Sequence, residues 1–182
     1  NRVCFLLAFL FLFYSFPVIW PYLISELGMT ESQLGMVSAF YFMPVAILAI
    51  VIGRALDKYS VKNFMMIGAV IYAIGLFSLS FINSYWSLLT IYLTILALGS
   101  IMMGNLAVAK LISNWFDKNA GRALGIAAVG ISFSGVVLPL VVDPLLDLVG
   151  WRNVYVIFAS VILFIILPLI FFTVIDDPKS VN

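Results

Sequence analysis

The stretch GRALDKYSVKN, Gly53 to Asn63, sets Arg54, Asp57, Lys58 and Lys62 within eleven residues of a chain where charge is scarce. Apolar runs of helical length flank it on both sides. Its reading therefore decides whether those runs form a soluble core or cross a membrane. The whole chain has 182 residues, of which 65% are hydrophobic and 9% charged, and its mean hydropathy is +1.22. A soluble domain carries roughly 25% charged and about 45–50% apolar residues. No water-facing surface for this chain could be assembled from so few polar groups, so the solvent around it is lipid.

Composition also excludes chemistry. The chain has no histidine and one cysteine, Cys4, which leaves no intrachain disulfide, no zinc-type ligand set and no His-based nucleophile activation. The net charge of +1 gives no global field for nucleic acid, and the placement of individual charges carries the information instead. No cofactor or metal is expected. Asn1 in place of a methionine reads as a cut or processed start. The run Val3–Ser25 is too long for a signal-peptide core of roughly 7–15 residues and reads as a true span.

About 20 apolar residues cross a bilayer as helix. Reading between charge clusters and turn residues predicts six spans, at roughly 3–26, 33–56, 63–82, 86–115, 122–143 and 152–175. In ELGMTESQLG, Thr30 with Gln33 three residues on is a capping-box pattern that opens the second span. In INSYW, Asn83 and Ser84 suit a turn, while Tyr85 and Trp86 suit the interface. In LVGWRN, Gly150 closes one helix and Trp151 anchors the next. The tail DDPKSVN, residues 176–182, reads as the start of a cytoplasmic central linker.

Lysine and arginine set the orientation. Arg2, Arg54, Lys58, Lys62, Lys118, Arg122 and Lys179 fall on one side. The other side has Arg152 with Glu26, Glu31, Asp143 and Asp147. Both termini and the loop around Asp57 are therefore expected in the cytoplasm, in a plasma or inner membrane.

The tetrapeptide GRAL recurs at Gly121–Leu124. A phosphate cradle is excluded, because neither copy has the G-x-x-x-x-G-K-S/T spacing or a strand before it. A structural repeat is excluded too. Two three-helix units would place equivalent positions about 85 residues apart and on opposite faces. The two copies are 68 apart and share a face.

What the positive-inside role leaves unexplained is Gly53 and Asp57. Here the stretch resembles the loop 2–3 signature of the major facilitator superfamily, approximately G-x-L-x-D-R/K-x-G-x-R/K-R/K. Gly53, Asp57, Lys58 and Lys62 match it, whereas Ala55, Ser60 and Asn63 depart from it. NWFDKNAGRALGIAAVG and GWRNVYVIFA are similar to that superfamily's helix 4–5 junction and the start of its helix 6. The resemblance spans essentially the whole chain. It implies an all-α integral membrane fold, six transmembrane helices forming two three-helix inverted repeats and half of a twelve-helix transporter. The implied partners are a small-molecule substrate, the bilayer and the missing C-terminal six-helix half, with no nucleic acid.

In that setting Gly53 lets another helix approach closely at the membrane edge. Asp57 can accept charge-assisted bonds from Lys58, Arg122 or a neighbouring helix N-terminus. With Lys62, these residues would form a cytoplasmic latch; a solvated loop carboxylate is the plain alternative for Asp57.

The resemblance places the substrate path between the two halves, lined here by spans 1, 2, 4 and 5, with spans 3 and 6 outside. In the first span, Tyr14 shares a face with Pro17 and Pro21, and Trp20 flanks it. Both aromatics are path candidates, or else interhelix contacts. In the fourth span, Ala97, Ser100, Gly104 and Ala107 form a small-residue stripe, with Asn105 and Lys110 on opposite flanks about 140° apart. Asn105 is either a helix–helix hydrogen bond or a ligand contact. Lys110 either extends its stem to the cytoplasmic interface or faces the vestibule and attracts anions. Gly125, Gly130 and Gly135 in the fifth span would permit close packing. Asp143 and Asp147 read as interfacial carboxylates rather than proton-coupling groups.

Drug–proton antiporters of the superfamily show an arginine in helix 4 and G-P-x-x-G-G in helix 5. The corresponding places here are Ile95 and GISFSG, which disfavours that class. The 114–141 stretch is closer to the monocarboxylate and oxalate/formate antiporter branch. The expectation is secondary transport of a small organic solute, an organic anion being favoured, by alternating access. The competing expectations are a drug or sugar transporter of the same superfamily, a non-transporting sensor or assembly subunit, and an intramembrane enzyme. The absence of histidine and of an intramembrane carboxylate pair argues against the last.

Overall fold

The computed structural model describes residues 15–115 and 120–175, and among them every regular element is helical. The first three helices, α1 (Ser15–Leu27), α2 (Glu31–Leu56) and α3 (Val61–Leu79), are joined by short turns. Gly28, at φ 63°, takes the left-handed backbone that ends a helix at little cost only for glycine. The capping box then opens α2. Thr30 Oγ1 accepts from the Gln33 backbone N–H at 3.2 Å, and Gln33 Oε1 accepts from the Thr30 N–H at 2.9 Å. Ser60 caps α3 through the Asn63 N–H at 3.2 Å.

The next rod is interrupted twice. It runs through α4 (Tyr85–Ile91), a π turn (Tyr92–Leu96), α5 (Ala97–Met103) and α6 (Asn105–Trp115), and Ser84 caps its start. Gly104, with φ −88° and ψ −150°, breaks the helical path between α5 and α6. The last rods lie in α7 (Ala120–Val161), where Gly150 at φ 77°, ψ 157° turns the chain so that two helices meet there. A second π turn (Ile162–Ile166) and α8 (Leu167–Thr173) complete the chain's described part.

Four helical stretches among the described residues are long and apolar enough to cross a bilayer: Glu31–Leu56, Val61–Leu79, Tyr85–Asn114 and Val137–Thr173. Their directions put Arg54, Lys58, Lys62 and Lys110 at one end of the bundle. Glu26, Glu31, Asp143, Asp147 and Arg152 lie at the other. These are called the basic and acidic ends below.

α3 is the hub: it packs on α5, on the part of α7 after Gly150, and on both π turns. Against α5 the backbones nearly touch. A Cβ added at Gly99 would lie 2.7 Å from the Tyr72 backbone N, and one added at Gly68 would lie 2.7 Å from Met102 Cβ. Gly75 faces the first π turn, where a Cβ would meet Leu96 Cδ2 at 2.8 Å. Lipid supplies no hydrophobic drive for helices to associate, so such close approach is what holds them. The glycines where close packing is expected, Gly104, Gly125, Gly130 and Gly135, stand differently from one another. Gly104 is buried at the break, Gly125 is exposed with nothing within 4 Å of a Cβ, and the surroundings of Gly130 and Gly135 lie outside the described residues.

Of the four long apolar stretches, α2 is the least covered. In its most apolar stretch 11% of residues are buried, against 44% in α3. Its exposed Met36, Phe40, Met43, Ile47 and Ile50 follow a 4-3-4-3 spacing, the stripe of a helix that meets another along its length.

Candidate functional site: ion pairs at the two ends

At the basic end, the α2–α3 turn presents Asp57 as the C-cap of α2. Lys110 of α6 reaches it, with Nζ donating to Asp57 Oδ1 at 2.6 Å. The side chains remain 34% (Lys110) and 65% (Asp57) exposed, so the pair is not locked in the protein interior, and exposed pairs of this kind are weak. Among the described residues the partner of Asp57 is Lys110; the sequence pointed to Lys58, Arg122 or a helix N-terminus. Lys110 sits well inside the rod, and its four-carbon stem carries the ammonium toward the basic end. Residues 57 and 110 are 53 positions apart, which is why neither loop spacing nor helix periodicity pairs them.

The remaining expected gate residues divide. Lys58 is exposed beside Asp57. Lys62 lies with its Nζ 4.6 Å from the ring centroid of Phe171 on α8. Gly53 has nothing within 4 Å of an added Cβ. The side chain of Arg122 lies outside the described residues. Among the path candidates, Tyr14 and the Asn105 side chain also lie outside them. Trp20 is half-buried and packs against the core, and Lys110 joins the Asp57 turn.

The acidic end carries a second set of contacts that sequence reading did not pair. Glu26, in the last turn of α1, accepts from the Trp151 indole N–H and from the Arg152 guanidinium. Arg152 also donates to the Ile82 carbonyl at 3.3 Å and lies 4.2 Å over the Trp151 ring. The Tyr22 hydroxyl donates to Asp147 Oδ1 at 2.9 Å. One arginine thus ties the end of α1, the α3–α4 turn and the residues just past Gly150. The available signal was charge count: Arg152 is the lone cation on an acidic side. Glu26→Ala strands both donors at once. A lowered Tm, by about 2–4 °C, is expected in a thermal-shift measurement; an unchanged Tm would show the clasp to be ornamental.

Between the two ends the interior is aromatic and sparsely polar. Tyr41 and Tyr92 stack edge to face at 6.1 Å, and Tyr155 is 1% exposed, its buried hydroxyl without a hydrogen-bond partner among the described residues. No cluster of three or more metal-ligating side chains occurs among the described residues.

The sequence profile of the Major Facilitator Superfamily matches residues 3–182. The chain belongs to the major facilitator superfamily. Superfamily members are transporters rather than enzymes, and the similar proteins carry such names. "MFS-type transporter 1" of Ophiocordyceps sp. (strain BCC 1869) is 28% identical over 140 residues, 77% of this chain and 31% of that protein. The "Fujikurins efflux protein" of Gibberella fujikuroi is 30% identical over 101 residues, 56% of this chain and 22% of its own length. A riboflavin transporter of Saccharomyces cerevisiae is 26% identical over 112 residues, 60% of this chain and 21% of that protein. The chain thus spans less than a third of each of these superfamily relatives.

Proposed function

We propose that this chain is the first six-helix half of a twelve-helix secondary transporter that works by alternating access. In this reading the Asp57–Lys110 pair is its cytoplasmic latch. The observation that carries the reading is that pair: a partly exposed ion pair joins the α2–α3 turn to a helix 53 positions away. Such a contact can form in one state and part in the other at little cost. The exposed stripe along α2 supports a missing partner, because its 4-3-4-3 apolar spacing offers a full-length helix contact. The six helices would form two inverted three-helix repeats with both termini in the cytoplasm.

The cargo in this reading is a small organic solute, with an organic anion favoured by resemblance to the monocarboxylate and oxalate/formate branch. Lys110, engaged by Asp57, adds no open vestibule cation to that preference. A protein 25% identical to this chain, from Chlamydia trachomatis, is named a probable hexose phosphate transport protein, which keeps anionic cargo in view. A relative named for efflux of fujikurins favours a second reading, export of a larger metabolite.

Counterflow in proteoliposomes holding the full-length protein tests the proposal. Saturable exchange of a carboxylate or phosphate ester is expected. Exchange of a larger metabolite alone would select the second reading. No saturable exchange of any of these would favour a sensor or assembly subunit.

A further inference from the structure

The side of the bundle away from α2 carries an apolar groove. Met66, Val70 and Ile71 of α3 form one wall and Leu167, Pro168 and Phe171 of α8 the other, enclosing about 550 Å³. We propose that this groove holds an acyl chain of an anionic phospholipid, with the headgroup drawn to Lys62 at its mouth.

Three observations carry this. First, every lining residue is apolar, so the occupant needs no hydrogen bonds and a polar solute is excluded. Second, the walls are built from large side chains. Helices that pack in lipid do so through Gly, Ala and Ser, as Gly68, Gly75 and Gly99 do on the other side of α3. Large flexible side chains around a gap instead suit a flexible hydrocarbon chain. The outward ridge of α3, Ile67, Val70, Ile74 and Phe77, is apolar, as a lipid-facing surface is. α3 stands between α5 and α8, which puts the groove on a different side from the uncovered stripe of α2. Third, charge sits where a headgroup would. Lys62 lies one turn before Met66, and its ammonium rests 4.6 Å from the centroid of the Phe171 ring that lines the groove. Arg54, Lys58 and Lys110 share that end, with Asp57 the one carboxylate among the described residues there. Basic side chains at a membrane surface attract anionic lipid.

The experiment places a bimane fluorophore on the full-length protein carrying Cys4→Ser and Phe172→Cys, in phosphatidylcholine nanodiscs. Doxyl-labelled phosphatidylglycerol or doxyl-labelled phosphatidylcholine is titrated in as quencher. Phe172 lines the groove. A parallel label at Phe164, which is 78% exposed on the neighbouring π turn, reports ordinary surrounding lipid. Half-maximal quenching at position 172 is expected at several-fold lower mole fraction of phosphatidylglycerol than of phosphatidylcholine, with no such difference at position 164. Lys62→Gln should erase the preference, Lys62→Arg should keep it, and Val70→Trp should weaken quenching by filling the groove. Equal half-quenching by both lipids at position 172 would overturn the site. So would a preference that survives Lys62→Gln, or quenching at position 164 with none at 172, which would mean that protein covers the groove.

Discussion

Gly99→Val is expected to leave little folded protein, seen as a collapsed monodisperse peak in fluorescence-detected size exclusion and a Tm far below wild type. A Cβ at that position would lie 2.7 Å from the Tyr72 backbone N and 2.8 Å from its Cα. Those atoms belong to the α3 backbone, so no rotamer change can relieve the contact and α3 must move away from α5. Overpacking of this kind costs about 1–3 kcal/mol, and a clash with backbone belongs at the upper end. The loss spreads, because Gly68 and Gly75 depend on the same helix separation. Lipid offers no hydrophobic force to pull the separated helices back together. The order of damage follows from what each Cβ meets. Gly68→Val should come next, since it meets Met102 Cβ at 2.7 Å and the Met103 N at 3.0 Å. Gly75→Ala should be milder, because Leu96 Cδ2 is the end of a movable side chain. Gly53→Ala and Gly125→Ala, with nothing within 4 Å, should melt with wild type. A Gly99→Val protein as stable as wild type would show that α3 and α5 are held by something other than backbone approach.

Asp57→Asn in the full-length transporter should cut the initial counterflow rate by up to about five-fold while leaving Tm within about a degree. The two effects separate because the pair is exposed. Such pairs contribute about 0.2–1 kcal/mol, too little to matter to folding. In an equilibrium between two conformations the same amount shifts the populations by up to about five-fold. Lys110→Gln should reproduce the defect. The double variant Asp57→Asn with Lys110→Gln should be no worse than either single one, since both remove the same contact. The charge swap Asp57→Lys with Lys110→Asp should recover part of the rate, and raised salt should narrow the gap between wild type and variants. Additive losses, or full uptake with Asp57, Lys58 and Arg122 all neutralised, would sink the latch.

Local features were readable from short windows because their physics is local. The Thr30–Gln33 box lies within one turn, and the structure forms both of its hydrogen bonds. Gly150 sits at positive φ where the sequence places a helix end, and Ser84 caps the next rod at the predicted turn. Helical spacing on one segment also marked small-residue stripes, but it could not say which stripe meets a neighbour. Gly68 and Gly75 are seven positions apart on one face of α3, a pattern as visible as the one around Gly104, yet only the neighbouring helix distinguishes them.

The sequence by itself determined the solvent, the helical class and the charged ends, because each follows from composition or from residues within a few positions. The tertiary structure alone decided partners: Lys110 for Asp57, Glu26 for Trp151 and Arg152, Tyr72 against Gly99. Each joins residues separated by tens of positions or more, on helices whose relative rotation is set by packing and leaves no trace in the spacing of either helix.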